Sequence, residues 1–216
     1  MEGTTVKDLY IIGAGDTGRE LVDLAERINL VKLEWSVKGF IDDNTSIHNT
    51  VIDGVPVLGG IDYLNKINED VYAICAVGNG ITKKKIIESI SNPKVCFATL
   101  IDPNVVMCHG SECGEGSFIY ANCALAINVK IGKHVYLSFN CSIGHDTVIE
   151  DYCSAFPGVN VSGKVVVKEA TTLGTGTKII QGKNIAPYTI IGAGSVVVKN
   201  LEESGTYVGV PVKKIK

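Results

Sequence analysis

The chain has 216 residues, a formal net charge of −3 and seven cysteines. A net charge this small gives no basic field for nucleic acid or anionic lipid, and the longest apolar runs are far too short to cross a bilayer. No basic and apolar leader opens the sequence, so we expect a cytoplasmic protein with reduced cysteines, no nucleic acid and no membrane among its partners.

The chain begins with a strand, a glycine turn and a helix. The apolar run Asp8–Ile12 leads into Gly13-Ala14-Gly15-Asp16-Thr17-Gly18, and the following residues up to Ile28 carry apolar side chains at helical spacing. A G-x-G-x-x-G motif is meaningful only between a strand and a helix, as it is here. It then indicates a site where a phosphate approaches backbone N–H groups at the helix N-terminus. The alternative interpretation is that these glycines only form a turn.

Two further strands in the first hundred residues end in polar or glycine-rich loops. Val37–Ile41 ends in Asp42-Asp43, and Tyr72–Val77 ends in Gly78-Asn79-Gly80. Because the carboxyl ends of parallel strands meet at one edge, where α/β folds bind ligands, residues 1–100 are predicted to form a Rossmann-like nucleotide-binding domain. A dehydrogenase is disfavoured, since only one nucleotide-binding half is present.

An aliphatic or small apolar residue occupies every sixth position from Ile101 to Val197. Four residues after each of these lies a small or β-branched residue, with Lys183 as the one large exception. A period of six fits neither a helix nor an ordinary strand, but it is typical of a solenoid of short strands with three hexapeptides to a triangular coil. We therefore predict a parallel β-helix over residues 101–200 and a C-terminal cap over residues 201–216.

Few side chains of the repeat are suited to chemistry. His145 and Asp146 occupy an outward turn, where a histidine can act as a general base and its neighbour can orient it. His109 has the same place two coils earlier, too far away to share a metal within one chain. A zinc site between subunits and a merely solvated His145 stay open as alternatives, and His48 is expected to be solvated surface.

Residues 140–151 (NCSIGHDTVIED), the sixfold register and the terminal GVPVK together resemble the left-handed β-helix acyltransferases. The glycine motif, Ile41-Asp42-Asp43, the run GVPVLG at 54–59 and AVGN at 76–79 make the chain similar to bacterial acetyltransferases of nucleotide-linked 4-amino-4,6-dideoxy sugars. These enzymes are relatives of the sialic acid O-acetyltransferases. The left-handedness of the predicted helix comes from this resemblance.

The resemblance implies a homotrimer without a metal, with acetyl-CoA between neighbouring β-helices and a nucleotide-linked amino sugar on the front domain. It implies that His145 takes a proton from the sugar amine as the amine attacks the thioester, and that Asp146 assists His145. The implied sugar-nucleotide contacts are Gly15, Asp16, Thr17, Asp42, Asp43 and Gly78. The implied acetyl-CoA contacts are Ser154, Gly163, Thr175 and Ala193.

One position departs from the family pattern. Many relatives have a second histidine nine residues after the first, touching the acetyl carbonyl, whereas this chain has Ser154 there. We expect its shorter hydroxyl to donate to the thioester oxygen, unless water or a backbone N–H does so. O-acetylation of a sugar hydroxyl and a non-catalytic, trimeric nucleotide-sugar-binding protein are the alternative functions.

Overall fold

The computed structural model describes residues 6–216, so the first five residues of the expected 1–100 domain lie outside the described part. The chain divides into two compact units. One contains the residues up to Val77 together with Thr82–Pro103, and the other contains Gly78–Ile81 and Asn104–Lys216. Within residues 6–216, no helix has both the length and the apolar character that a membrane span requires.

The first unit is built on a six-stranded, mostly parallel sheet with the strand order β3-β4-β2-β1-β5-β6. Three helices and a short 3-10 turn, Thr45–Ile47, connect the strands. The elements are β1 (Lys7–Ile12), α1 (Asp16–Val31), β2 (Trp35–Ile41), β3 (Val51–Ile52), β4 (Val55–Gly59), α2 (Ile61–Lys66), β5 (Val71–Cys75), α3 (Gly80–Glu88), β6 (Val95–Phe97) and β7 (Leu100–Ile101).

The Rossmann-like sheet predicted from the sequence is confirmed. Strands β2, β1 and β5 are adjacent and parallel, so their carboxyl ends reach one edge. The consecutive residues of β1 from Leu9 to Ile12 are all buried, so both faces of this strand are covered, as the apolar run predicts;. The antiparallel pair β3–β4 and the helix α2 were not predicted, because this segment is short and shows neither clear period;.

The second unit is a left-handed parallel β-helix of two-residue strands. In chain order they are β8 (Val106–Met107), β9 (Glu112–Cys113), β10 (Phe118–Ile119), β11 (Ala124–Leu125), β12 (Lys130–Ile131), β13 (Tyr136–Leu137), β14 (Ser142–Ile143), β15 (Val148–Ile149), β16 (Ser154–Ala155), β17 (Asn160–Val161), β18 (Val166–Val167), β19 (Thr172–Leu173), β20 (Lys178–Ile179), β21 (Asn184–Ile185), β22 (Ile190–Ile191) and β23 (Val196–Val197). Strands β24 (Thr206–Val208) and β25 (Lys213–Lys214) extend the sheet that contains β22.

Three flat faces follow from this winding. Face 1 contains β8, β11, β14, β17, β20 and β23; face 2 contains β9, β12, β15, β18 and β21; face 3 contains β10, β13, β16, β19 and β22. The residues of the sixfold register point inward and are buried from Ile119 through Val197, as predicted. Met107, in the first coil, keeps 36% of its surface exposed.

The turns between the faces repeat a single backbone conformation. The third turn residue has a positive φ in every hexapeptide from Gly110 to Gly194. Its N–H donates to a carbonyl of the preceding coil, as when the Asp146 N–H donates to the Ile127 oxygen at 3.0 Å. Glycine, asparagine and aspartate tolerate this left-handed conformation best, and they fill most of these positions.

Candidate functional site

The glycine turn of the first unit is shaped by close backbone approach. Gly13 has a φ of +100°, and a Cβ on Gly18 would collide with the Gly13 carbonyl. Gly15 precedes α1 with no side-chain cap, and a Cβ there would meet nothing within 4 Å. The N-terminus of α1 thus lies open at Gly15 and Asp16, in the arrangement that favours an anionic ligand.

Asp42 connects this turn to the loop after β2. Its Oδ2 accepts a hydrogen bond from the Ala14 N–H at 2.9 Å, and its Oδ1 accepts one from the Asn44 N–H at 2.9 Å. Both carboxylate oxygens therefore hold backbone in place. The sequence placed Asp42 at a ligand-binding edge, and the structure adds that Asp42 fixes the shape of that edge.

Asp43 and His48 have similar structural contacts. Asp43 Oδ1 accepts a hydrogen bond from the Ile61 N–H at 3.0 Å, at the start of α2. His48 is half-buried, and its Nε2 lies 2.7 Å from the Asp42 carbonyl oxygen. His48 is thus partly solvated, as expected, and the sequence did not predict its contact with the loop that carries the two aspartates.

A small cavity of about 180 Å³ lies at this edge of the sheet. Its walls combine apolar side chains at the strand ends with the acidic loop; they are Ile12, Gly13, Ile41, Asp42, Asp43, Ile61, Val77 and Ile86. Thr17, in the first turn of α1, is half-buried, and the Asp16 side chain is 97% exposed. Gly78 groups with the second unit, where a Cβ would lie 3.1 Å from the Phe156 ring, so its space is limited by an aromatic side chain.

In the β-helix, His145 and Asp146 lie in the turn between β14 and β15, which we call the 1–2 corner because it joins faces 1 and 2. The His145 Nδ1 and Asp146 Oδ2 atoms are 2.8 Å apart. Both side chains are partly open to solvent, at 44% and 43% exposure, so small molecules have access to the ring. A carboxylate only accepts hydrogen bonds, so Nδ1 donates and the neutral ring keeps its lone pair at Nε2.

The Asp146 carboxylate has a second donor. Its Oδ1 accepts a hydrogen bond from the Asn128 side-chain amide at 3.1 Å, one coil away at the same corner. The hydrogen bond from His145, the one from Asn128 and the positive charge of Lys164 lower the pKa of Asp146 below its ordinary value. Asp146 is therefore ionised wherever His145 would act as a base.

Gly163 lies directly beside the imidazole. A Cβ on Gly163 would be 2.5 Å from His145 Nε2 and 2.7 Å from Cε1. The sequence associates Gly163 with acetyl-CoA through a family resemblance, and the structure shows a second reason for a glycine here. The missing side chain leaves the space that the His145 ring fills.

The other residues associated with acetyl-CoA lie elsewhere on the helix. Thr175 and Ala193 are exposed and stack one coil apart at the corner between faces 3 and 1, where the Gly194 N–H donates to the Thr175 carbonyl at 2.8 Å. Ser154 lies within β16 on face 3 and is fully buried, with 0% exposure. Its hydroxyl is covered in this chain, and its contact with the thioester stays a prediction.

The remaining histidines of the repeat do not join this site. His109 lies at the 1–2 corner two coils before His145, where its carbonyl accepts a hydrogen bond from the Asn128 N–H. His134 is buried with its ring stacked on Tyr152 at 5.3 Å between centroids. Across residues 6–216, no three histidine, cysteine or acidic side chains gather closely enough to hold a metal ion.

Comparisons with known proteins relate both units to sugar acetyltransferases. Residues 8–90 match the family model described as the PglD N-terminal domain. The GDP-perosamine N-acetyltransferase of Escherichia coli O157:H7 is 29% identical over 191 residues, which span 87% of this chain and 84% of the relative.

Solved structures with the same architecture cover nearly the whole chain. PerB from Caulobacter crescentus, in complex with CoA and GDP-perosamine, is 25% identical, with a TM-score of 0.87 over 98% of this chain and 99% of the other. WeeI from Acinetobacter baumannii AYE is 28% identical, with a TM-score of 0.86 over 98% of this chain and 100% of the other.

Proposed function

We propose, from the premise that this chain belongs to the sugar N-acetyltransferases of the hexapeptide-repeat family, that it acetylates the 4-amino group of a nucleotide-linked 4-amino-4,6-dideoxy sugar. Acetyl-CoA is the acetyl donor, and His145 is the general base. The observation that carries the proposal is the 2.8 Å contact between His145 Nδ1 and Asp146 Oδ2, which leaves Nε2 available to the acceptor.

The proposed reaction follows from the chemistry of these groups. The sugar amine attacks the thioester carbonyl carbon while His145 Nε2 removes a proton from the amine nitrogen. The carbon–sulfur bond breaks, and the departing thiolate of CoA takes the proton from the imidazolium. Asp146 stabilises the imidazolium that forms between these steps, because its carboxylate remains ionised;.

We propose that the nucleotide binds at the carboxyl edge of the front sheet. The open N-terminus of α1 at Gly15 favours a phosphate, and the half-buried Thr17 and the Asp42–Asp43 loop lie at the same edge;. GDP-perosamine is the first nucleotide sugar to test, because the sequence relative and one structural neighbour are named for it. Both proposed substrates are charged and do not cross a bilayer unaided, so we propose a cytoplasmic enzyme.

We also propose a homotrimer with acetyl-CoA bound against Gly163, Thr175 and Ala193 at the subunit boundaries. Gly163 lies at the 1–2 corner, whereas Thr175 and Ala193 lie at the corner between faces 3 and 1. A ligand held between neighbouring β-helices would contact a different corner of each helix. Sedimentation equilibrium would test the trimer, with an expected mass about three times the 23.0 kDa of the chain. A monomeric mass under assay conditions would overturn it.

An acetyl-CoA thiol-release assay tests the reaction. We expect release with GDP-perosamine or with a UDP- or dTDP-linked 4-amino-4,6-dideoxy sugar, and none with sialic acid. Release with sialic acid alone would establish O-acetylation in place of the proposed reaction. His145→Ala is expected to lower kcat by roughly 10²-fold or more, the scale of a lost general base. His109→Ala is the matched control, since His109 has the same turn position two coils away, and it should keep the wild-type kcat.

A further inference from the structure

We infer that Asn128 is a positioning residue for the general base, whose side-chain amide holds the Asp146 carboxylate in the orientation that keeps His145 in its Nδ1–H tautomer. This inference rests on the proposed function for its catalytic meaning. Its structural content depends only on contacts at the 1–2 corner.

The contacts form a continuous chain from Asn128 to the imidazole. Asn128 Nδ2 donates to Asp146 Oδ1 at 3.1 Å, and Asp146 Oδ2 accepts from His145 Nδ1 at 2.8 Å. Each carboxylate oxygen thus has its own donor. A carboxylate with 43% of its side chain exposed and only one hydrogen bond would turn about its Cβ–Cγ bond;. The second donor fixes the plane of the carboxylate and, through it, the ring.

Asn128 is itself held in place by the winding of the β-helix. Its backbone has a φ of +58°, and its N–H donates to the His109 carbonyl at 3.1 Å. Gly110 lies one coil earlier, and a Cβ there would collide with Asn128 Oδ1. Because Gly110 lacks that atom, the Asn128 amide fits at the corner with Nδ2 towards Asp146.

Asn140 is the comparison that tests whether Asn128 has only a conformational role. Asn140 occupies the same hexapeptide position at the corner between faces 3 and 1, with a φ of +59°. The residue one coil further at that corner is Gly158, which has no carboxylate for the Asn140 amide to hold. Asn128 and Asn140 therefore share the turn conformation and differ in what the amide contacts.

The groups around Asp146 determine how a new charge at position 128 would change its pKa. Asp146 is influenced by His145 and Lys164, and by the neutral amide of Asn128. Asn128→Asp would introduce a second carboxylate about 3 Å from Asp146, and like charges at that distance raise the pKa of the pair. Asn128→Gly would remove the amide while keeping a residue that accepts the positive φ.

The test compares Asn128→Gly and Asn128→Asp with the matched controls Asn140→Gly and Asn140→Asp. Spectra of the free protein carrying ¹⁵N-labelled histidine report the tautomer of His145, with the resonances assigned by His145→Gln. Steady-state assays give kcat, both KM values and the pH dependence of kcat/KM for the nucleotide sugar.

In Asn128→Gly we expect a smaller population of the Nδ1–H tautomer, a fall in kcat of about tenfold and KM values within about twofold of wild type. In Asn128→Asp we expect the acid limb of the pH profile to move to higher pH. Both Asn140 variants should match the wild type in all these measurements.

An unchanged His145 tautomer and kcat in Asn128→Gly would overturn the inference, as would equal losses in Asn140→Gly. The tautomer is measured without substrate, so it separates this inference from the proposed function. A wild-type protein that transfers no acetyl group to any amino sugar would contradict the function alone.

Discussion

The carboxylates at the two candidate sites have different partners. In the front unit, Asp42 accepts hydrogen bonds from two backbone N–H groups, and Asp43 accepts one from the start of α2. In the β-helix, Asp146 accepts from two side chains, His145 and Asn128, on a backbone that the coil hydrogen bonds already define. At the sheet edge these side chains shape irregular loops, whereas at the 1–2 corner the regular backbone positions the side chains. Substitutions in the two regions should therefore affect different kinetic constants.

Among the substitutions that test this contrast, Gly163→Ala should have the largest effect. The new methyl group would lie 2.5 Å from His145 Nε2, so the ring must move although the backbone need not. Since a general base must lie within hydrogen-bond reach of the proton it removes, we expect kcat to fall by roughly 10- to 100-fold with little change in thermal stability. Steady-state kinetics and a thermal unfolding curve on the same protein measure both quantities.

Ser162→Ala is the control for this variant, because Ser162 is the neighbouring residue in the turn and its side chain is exposed. It should keep the wild-type kcat. If Gly163→Ala raised only the KM for acetyl-CoA, the role of Gly163 would be limited to donor binding, and a glycine would not be needed there to seat the imidazole.

Asp42→Ala should show the opposite kinetic pattern. Its removal leaves the Ala14 and Asn44 N–H groups without their acceptor, and the loops at the nucleotide edge lose a shared anchor. We expect the KM for the nucleotide sugar to rise about tenfold, while the KM for acetyl-CoA stays within about twofold.

Asp53→Ala is the matched comparison, since Asp53 is a loop carboxylate whose contact is the exposed Arg19 side chain. Its KM values should resemble those of the wild type. A fall in kcat without a change in the nucleotide-sugar KM in Asp42→Ala would mean that binding and chemistry are not divided between the two units.

The same contrast explains which features the sequence predicts. The period of six predicts the inward register of the β-helix because each coil repeats one geometry, and the register is buried as expected from Ile119 onward. The positive φ at the third turn residue also leaves a signal, the recurrence of glycine, asparagine and aspartate. That signal is obscured where other residues adopt the strained conformation, as His134, Tyr152 and Lys164 do.

Pairings between distant segments leave no comparable signal. The hydrogen bond from Ala14 to Asp42 depends on the approach of two loops 28 residues apart. Ser154 is fully buried, which its position in the hexapeptide does not predict. The Asn128–Asp146 contact is intermediate, because a spacing of 18 residues places both at one corner once the coil length is known.

Thr171→Val tests the regular region by itself and should have the smallest effect. The fully buried Thr171 hydroxyl donates to the Ala186 carbonyl at 3.1 Å, and the same bond to a residue 15 positions later recurs at Ser117 and Thr147. Small polar residues in the second register therefore satisfy turn carbonyls as well as fill corners. Valine preserves the shape but leaves the Ala186 carbonyl without this donor, at a cost of about 1 to 3 kcal/mol in the free energy of unfolding.

The measurement is the urea midpoint of Thr171→Val, with Val165→Thr as the converse variant in the same register. The free energy of unfolding of Val165→Thr should lie within about 1 kcal/mol of that of the wild type. Its added hydroxyl meets the carbonyl 15 positions later, which is the equivalent of the Ala186 carbonyl for Thr171. Equal stability of Thr171→Val and wild type would show that apolar packing alone sustains the corners. The kcat of both variants should stay unchanged, since the contacts of Asp146 with His145 and Asn128 at the 1–2 corner are kept.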